Sequence, residues 1–431
     1  MTVPFASGTA AAECAISADE VPPRGEWLAG WRTLASAWVG AGTGYGLYVY
    51  VAALFILPMQ AEFGWSRSAI VIGPMIGLVQ ALLNPFVGMI VDRIGARPVV
   101  MAGIGLLCIS YLVIAASPAS PLLFYAAVAF VAVASTGTTS IVYAKGVTSW
   151  FVKNTGSALG IMMSGISVLS ALGFWGLQKV ITRYGWRAGF HALAATTVIL
   201  GFPFVLAWFR EHPALIKARG ATLTNIPDSF GEAPRDSRFW IMVGFLSFSS
   251  VAIGGFLGHL QPLLVSHGFS PAVAAGFSSV FALGTAFGRI GIGVLLDHLR
   301  PALVAAGCMA LAALGAVILG GQSSLAWISA GTAVFLIGLG QGAELDFMAF
   351  FTVRIFGVRS FSSIIAVFAL VFGVGVAIGG VLFAVCFDHF GSYQIATRAN
   401  VILFGFAAAL ILSLRVPIVS SIAELTPIKP V

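Results

Sequence analysis

Four ionisable side chains lie inside long apolar stretches of this sequence, namely Lys145, Arg289, Glu344 and Asp346. A guanidinium group offers a planar pair of donors that fits a carboxylate, and a lysine supplies a compact positive charge. A carboxyl group in apolar surroundings either pairs with such a cation or carries a proton. This set of residues is suited either to ion pairs that hold the helices together or to contact with a small anion, with Glu344 and Asp346 as candidates for proton coupling.

The composition shows what surrounds these charges. The chain has 431 residues, of which 59% are hydrophobic and only 9% are charged, and its mean hydropathy is +1.00. A soluble domain has about a quarter of its residues charged. At roughly 20 apolar residues per bilayer crossing, this content is enough for about twelve helices. The composition excludes a soluble enzyme and predicts a polytopic membrane protein.

The apolar runs between charges and turn residues predict twelve membrane helices in an all-α fold. The pattern defines the ends of these helices to within several residues. The predicted spans are 31–59, 69–91, 98–117, 121–151, 156–178, 188–209, 239–265, 272–297, 302–320, 326–353, 360–386 and 396–414.

The basic residues outside the spans predict the orientation of the helices. An even number of spans places both termini on one face, and that face carries fifteen Lys and Arg residues against five on the other. By the positive-inside rule, both termini are expected to be cytoplasmic. The compact termini favour a bacterial inner membrane as the location.

A polar segment rich in Gly and Pro, residues 211–237, divides the spans into two sets of six. It is too polar to cross a bilayer and has the composition of a linker. The predicted organisation is a cytoplasmic tail (1–30), a six-helix bundle (31–210), a cytoplasmic linker (211–237), a second six-helix bundle (238–415) and a cytoplasmic tail (416–431).

Short motifs recur across this linker at a nearly constant offset. The pairs are Gly88-x-x-x-Asp92 with Gly293-x-x-x-Asp297, the turn at Gly64 with the turn at Gly268, and Tyr184-Gly185 with Phe390-Gly391, at offsets of 205, 204 and 206. Parallel repeats of this kind place a binding site near the bilayer midplane, between the two halves.

Several other classes of function are excluded or disfavoured. The basic residues form no cluster with interleaved aromatic residues, so we expect no nucleic-acid partner. The four cysteines show no CxxC pairing, and neither a disulfide framework nor a metal or cofactor site is indicated. The sequence has no HExxH, GxSxG or Walker-type motif, which argues against an enzyme. Residues 1–30 lack the features of a signal peptide.

The loop after the second span reads Gly88-Met-Ile-Val-Asp92-Arg93-Ile-Gly95-Ala-Arg97-Pro98. Glycine at a helix end lets another helix approach, and the charged residues can form charge-assisted contacts that latch one conformation. The spacing of this loop, its place after span 2 and its recurrence after span 8 resemble the signature loop of the major facilitator superfamily. The resemblance covers almost the whole chain and implies a gating role for Gly88, Asp92, Arg93, Gly95, Arg97, Gly293 and Asp297. The second copy has His298 and Arg300 in place of Arg93 and Gly95, which predicts a weaker latch.

Finer features are similar to the monocarboxylate and oxalate:formate branch of that superfamily. They are the stretches 63–68, 150–153 and 185–187 and the Gly288-Arg289 pair in span 8. This resemblance implies carriage of a small organic carboxylate, with a proton or by exchange, and it implies that Arg289 binds the carboxylate. An ion pair of Arg289 with Glu344 or Asp346 is the structural alternative.

Other residues are candidates to assist Arg289. Asn84 is its counterpart in the first half, and Lys145 supplies a second positive group, although its ammonium could instead snorkel to the cytoplasmic rim. Tyr143 can donate to a carboxylate or simply pack. Tyr45 and Tyr48 share one face of span 1 and would suit an aromatic or bulky acid if they line the cavity. For both tyrosines, packing between helices is the alternative role.

The proton-coupling residue is less defined. Glu344 and Asp346 are two residues apart and point to different sides of a helix, so only one can face the cavity. The lysine that monocarboxylate members of the branch have in span 1 is absent from this sequence. Thr285 stands where those members have an aspartate one turn before the arginine that Arg289 matches. Glu344, or His259 in span 7, would have to replace that pair, although a hydrogen-bonded packing role for His259 is the alternative.

These observations lead to one expected function and several competitors. The expected function is proton-coupled uptake of a monovalent organic anion by a monomeric transporter in the lipid bilayer, through alternating access. Carboxylate exchange without a proton is the first alternative, and efflux of apolar compounds is disfavoured by Arg289. A non-transporting nutrient sensor would be expected to carry a long signalling domain, which the sequence lacks.

Overall fold

The computed structural model describes residues 25–70, 74–151, 154–213, 233–321, 326–356 and 361–414. The predicted tails lie largely outside these residues, as does most of the predicted linker. The side chains of Asp92, Asp297 and Asp346 and the surroundings of Gly293 also lie outside the described part of the chain.

Twelve membrane helices, labelled α1 to α12 here, follow one another in the described residues. Three of them, α1, α4 and α6, are interrupted, and α2 is given in two parts because residues 71–73 lie outside the described residues. They are α1 (Glu26–Thr43, Tyr45–Val51 and Ala53–Phe63), α2 (Arg67–Ile70 and Pro74–Ile94), α3 (Ala96–Ala115), α4 (Pro121–Ser135, a 3-10 turn Thr136–Thr138, and Ser140–Thr148), α5 (Thr155–Tyr184), α6 (Trp186–Thr196, a π-turn Thr197–Gly201, and Phe202–Trp208), α7 (Ser237–Ser266), α8 (Pro271–His298), α9 (Pro301–Gly321), α10 (Trp327–Phe356), α11 (Phe361–Phe390) and α12 (Gln394–Ser413).

Length and composition support the reading of these helices as membrane spans. Within the described residues, nine helices are long and apolar enough to cross a bilayer. Helix α1 makes a tenth if Glu26–Val51 and Ala53–Phe63, which are bent by 51° to each other, form one span. Shorter apolar stretches lie in the remaining two, at Leu82–Val91 of α2 and Trp327–Gly342 of α10. The apolar stretch of α10 ends just before Glu344.

The repeat predicted from sequence is visible in the backbone. Gly64 and Gly268 have φ of 67° and 92°, and Gly185 and Gly391 have φ of 84° and 67°. Glycine adopts this left-handed region without the steric cost that other residues meet. Both halves therefore have a glycine with positive φ after their first and fifth helices.

The even number of helices gives the protein two faces. The terminal face is the one at which α1 begins and α12 ends, and the opposite face carries the turns at Gly64, Gly185, Gly268 and Gly391. Large side chains such as Leu172, Ile199 and Ile328 are exposed around the helices, as expected where lipid is the solvent.

The interruptions of α1 and α4 meet each other. The backbone N–H of Tyr45, just after the break at Gly44, lies 3.4 Å from the hydroxyl of Thr138 in the 3-10 turn of α4. Gly103 of α3 and Gly137 of that turn pack so closely that a Cβ on either would touch the other's backbone. The breaks place Tyr45 and Tyr48 on a short segment of α1, Tyr45–Val51, between two bends.

Candidate functional site

A tyrosine-lined cavity of about 110 Å³ lies in the part of the molecule nearer the opposite face. We use this name for the cavity whose wall includes Tyr45 and Tyr48 of α1, Phe190 of α6 and Gly258 of α7. Further residues of α1, α2, α3, α4, α7 and α11 complete the wall, so both halves contribute to it. Among the wall residues that the structure describes, the only polar groups on side chains are the two phenol hydroxyls, and no side chain is charged.

Arg289 of α8 is buried and reaches from the second half to the first. Its side chain is 8% exposed, and its Nη1 donates to the carbonyl of Met163 in α5 at 2.9 Å. Close helix packing fixes its position, because a Cβ on Gly288 or Gly342 would contact the facing backbone of α10 or α8. A positive group is thus held between the halves at the level where α5 and α8 meet.

Glu344 of α10 is fully buried, with 0% exposure. Neither of its carboxyl oxygens has a hydrogen-bond partner among the residues that the structure describes. The hydroxyl of Ser249 in α7 is close to the carboxyl group, but that hydroxyl donates to the carbonyl of Leu246 at 3.4 Å. Glu344 is therefore a desolvated carboxyl group without a fixed partner in this part of the chain, and it forms no ion pair with Arg289.

A smaller cavity brings together three of the predicted residues. Asn84 and Gly88 of α2 and Lys145 of α4 all line it, beside Val91 and Thr139. Lys145 is partly exposed and has interactions of its own. This cavity lies nearer the terminal face and within the first half, separate from the tyrosine-lined cavity.

Tyr143 and two of the predicted gating arginines occupy other positions. Tyr143 is buried against Gly40 of α1 and Phe209, and its hydroxyl has no partner in the described residues. It lines neither of the two cavities above. Arg97 donates to the carbonyl of Leu206 at 2.6 Å, a contact within the first half, and Arg93 is exposed.

His259 belongs to a hydrogen-bonded chain near the opposite face. Its Nδ1 lies 3.1 Å from the hydroxyl of Tyr393, and its Nε2 lies 3.0 Å from the carbonyl of Gly380. The same tyrosine hydroxyl accepts from Nη1 of Arg67 at 2.6 Å. His259 is thus linked, through Tyr393, to a residue of the other half.

Arg67 and Asp388 form a contact between the halves that the sequence analysis missed. The carboxylate of Asp388 accepts from the backbone N–H of Arg67 at 3.2 Å and of Ser68 at 3.0 Å. The guanidinium of Arg67 also lies over the ring of Phe387 at 3.4 Å. The only sequence signal was the Gly-Trp-Ser-Arg stretch after α1, whose likeness to the family did not reveal its partner. We call Arg67, Ser68, Asp388 and Tyr393 the opposite-face gate.

Comparison with known proteins shows which family has this architecture. The family model of the Major Facilitator Superfamily matches residues 34–380, which cover most of both halves and include Arg289 and Met163. The chain belongs to the major facilitator superfamily.

Individual relatives of this superfamily member are distant. Human monocarboxylate transporter 2 is 27% identical over 176 residues, which is 40% of this chain and 36% of that transporter. The matched segment thus spans about a third of the relative's length. Two crystal structures of a bacterial homologue of the human lysosomal transporter Spinster, both inward-facing, share the fold. The unoccupied form aligns with a TM-score of 0.63 at 17% identity, covering 89% of this chain and 96% of that one. The occupied form gives 0.67 at 19% identity with the same coverage.

Proposed function

We propose that this transporter carries monovalent organic acids across a bacterial-type inner membrane, with both termini in the cytoplasm and a proton moving with the acid. The substrate class is supported by the partial similarity to a monocarboxylate transporter and by the chemistry of the buried charges. The anion and the proton would be taken up together, by alternating access.

The observation that carries the proposal is the position of Arg289. A buried guanidinium is costly in a membrane, and such groups face a cavity or a polar partner between helices. Arg289 reaches across to the carbonyl of Met163, which leaves other donors of its planar group for a carboxylate. A substrate bound there would contact both halves and would be exposed to one side or the other as they move.

Glu344 is the proposed proton carrier. Its carboxyl oxygens lack partners in the described residues, and an ionised carboxylate without partners is expensive in apolar surroundings. Glu344 follows Gly342 by two residues, and Gly342 packs against the backbone at Arg289. A carboxylate substrate at Arg289 and a proton on Glu344 would together cross as a neutral pair.

Two further groups would assist. Asn84 and Lys145 line one small cavity between α2 and α4 nearer the terminal face. On the proposed orientation this cavity lies toward the cytoplasm, where its amide and ammonium would attract a released anion. Tyr143 has no role in this proposal, because its ring packs against Gly40.

Transport in liposomes tests the proposal. Purified protein is reconstituted, and uptake of labelled monocarboxylates is followed with and without an inward proton gradient. We expect gradient-driven uptake that falls at least tenfold in Arg289→Gln. Arg398→Gln is the matched control, since Arg398 also donates to a backbone carbonyl, that of Gly320, but within the second half and at its opposite-face end.

The outcomes separate the candidates. Uptake that ignores the gradient and requires an internal anion would replace symport by exchange, the second candidate, because exchange needs no titrating residue. Equal uptake by wild type and Arg289→Gln would overturn the assigned carboxylate site.

A further inference from the structure

We propose that the tyrosine-lined cavity holds the apolar body of the transported acid, so that the preferred substrates are arylalkanoic acids rather than short acids such as acetate. This inference rests on the proposed function, in which Arg289 binds the carboxylate. It adds a second subsite with its own chemistry and its own specificity residues.

The wall of the cavity selects an apolar group. Rings of Tyr48, Phe55 and Phe190 face one another there, with the Phe55–Phe190 centroids 4.2 Å apart and the Tyr48–Phe190 centroids 6.3 Å apart. Aromatic walls favour an aromatic guest through offset or edge-to-face contacts. A carboxylate would find no charged partner among the wall residues, so the acid end of a ligand has to lie elsewhere.

The volume of the cavity is of the order that holds one aromatic ring. An apolar cavity of about 150 Å³ binds benzene, and the volume of this cavity is about 110 Å³. Acetate would bury little apolar surface there. A phenyl ring would take up the space between the α1 tyrosines and α7.

Helix geometry sets the distance between the two subsites. Arg289 lies nine residues from the terminal-face end of α8, and Gly254, at the near edge of the cavity, lies 17 residues from the terminal-face start of α7. At 1.5 Å per residue these positions differ by about 12 Å along the membrane normal. The guanidinium bonds Met163, eight residues from the terminal-face start of α5, and so lies near the level of its own Cα. The carboxylate and the alkyl linker of the ligand therefore have to span that interval.

Gly258 allows the cavity to be filled by substitution. A Cβ at this position meets only the Cα of Gly380, at 3.8 Å, which is ordinary contact. Gly258 lines the cavity, so Gly258→Leu would place its side chain where the apolar body is proposed to bind. Gly307 of α9 offers a matched control, because it is exposed and a Cβ there meets nothing within 4 Å.

Ligand binding to the purified full-length protein, measured by calorimetry, tests the two subsites separately. The ligands are butyrate, 4-phenylbutyrate, butyramide and 4-phenylbutyramide. We expect the phenyl ring to raise affinity about 50-fold, the order expected when roughly 100 Å² of apolar surface leaves water. Gly258→Leu should reduce this phenyl preference to less than about fivefold, and Gly307→Leu should leave it unchanged.

Further variants keep the test decisive. Val49→Phe fills the same cavity from α1 and replaces Gly258→Leu if that protein does not elute as a monodisperse species. Arg289→Gln should abolish the preference for acid over amide and leave the preference for the ligands that carry a phenyl group over those that lack it. A phenyl preference that persists in the folded filling variant would overturn the cavity assignment.

The proposed function fails in a different way. If acid and amide bind equally in the wild type, the carboxylate role of Arg289 is wrong, while the phenyl preference still reports on the cavity. If phenylbutyrate and butyrate bind equally but acids exceed amides, the proposed function stands and the apolar subsite is overturned.

Discussion

Asp388, near the end of α11, accepts the backbone N–H of Arg67 at 3.2 Å and thereby joins the two halves at the opposite face. The hydroxyl of Tyr393 holds the guanidinium of the same arginine at 2.6 Å, and Arg67 is 8% exposed. Hydrogen bonds to a charged group contribute about 1.5 to 3 kcal/mol each. Three hydrogen bonds that involve charged groups therefore join the two halves at the opposite-face gate.

Removing this carboxylate should open the gate. In Asp388→Ala, the N–H groups of Arg67 and Ser68 lose their charged acceptor, and a loss of about 2 kcal/mol shifts a two-state equilibrium about 30-fold. The measurement uses spin labels at Ala119 and Ala326, in loops of the first and second half on that face, in a protein whose native cysteines are replaced. The distance between the two labels should be longer in Asp388→Ala than in the protein that keeps Asp388.

The control for this variant is a pair on the same face. Glu62 accepts from Arg187 within the first half, so Glu62→Ala removes a carboxylate without disconnecting the halves. The label distance should stay as in the wild type. A gate role for Asp388 is excluded if both variants give the same distance distribution.

Two buried tyrosines should respond oppositely to loss of the hydroxyl. The Tyr111 hydroxyl has no partner in the described chain, while that of Tyr393 bonds Arg67 and His259. An unsatisfied buried hydroxyl costs about 1 to 3 kcal/mol. Thermal unfolding in detergent should show Tyr111→Phe to be more stable than wild type and Tyr393→Phe to be less stable. Equal shifts in both variants would contradict the hydrogen-bond assignments.

The turn glycines show how far the sequence could predict the fold. Gly64 with Gly268, and Gly185 with Gly391, were paired by their offsets, and the structure gives all four the left-handed backbone that favours glycine. Turns of this kind depend on residues that are close together in the sequence, so the local residue types are enough to predict them. The twelve helices were predicted for the same reason, since a run of apolar residues of sufficient length has few other structures available.

Contacts between distant residues could not be predicted in this way. Arg67 and Asp388 are 321 positions apart, and nothing in either local sequence identifies the other. The breaks in α1 and α4 were also missed, because the apolar pattern continues through Gly44 and Gly137 although the backbone does not. The cavity beside Tyr45 and Tyr48 depends on those breaks, so its shape required the structure.

The start of α7 provides a pH-dependent prediction outside the membrane. Asp236 caps this helix by accepting from the backbone N–H of Arg238 at 2.8 Å, and its hydrogen bond to the Arg238 side chain holds the pKa of Asp236 below its usual range. A carboxyl group with a lowered folded-state pKa stabilises the protein above its unfolded pKa, about 3.9. That stabilisation is lost as the pH falls through the folded pKa.

Substitution of this cap should cost stability only while the carboxylate is charged. We expect Asp236→Ala to lower the unfolding free energy by about 1 kcal/mol at pH 7. Asp236→Asn should cost less, because an amide oxygen still caps the helix. Unfolding measured between pH 7 and pH 3 should show the gap between wild type and Asp236→Asn closing at the acidic end. A gap that widens on acidification would contradict the sign of this shift.

Glu344→Gln separates the proton from the substrate in the proposed mechanism. The amide has nearly the same shape as the buried carboxyl group but cannot deliver a proton, and no described partner is lost because the carboxyl oxygens have none. For one proton per acid, each unit of pH difference supports about tenfold accumulation, since one unit corresponds to 1.36 kcal/mol. In Glu344→Gln liposomes we expect equilibration of labelled acid without accumulation, whereas Glu62→Gln should accumulate it as the wild type does. Accumulation that survives Glu344→Gln would move the proton to another group, with His259 and its hydrogen bond to Tyr393 as the next to test.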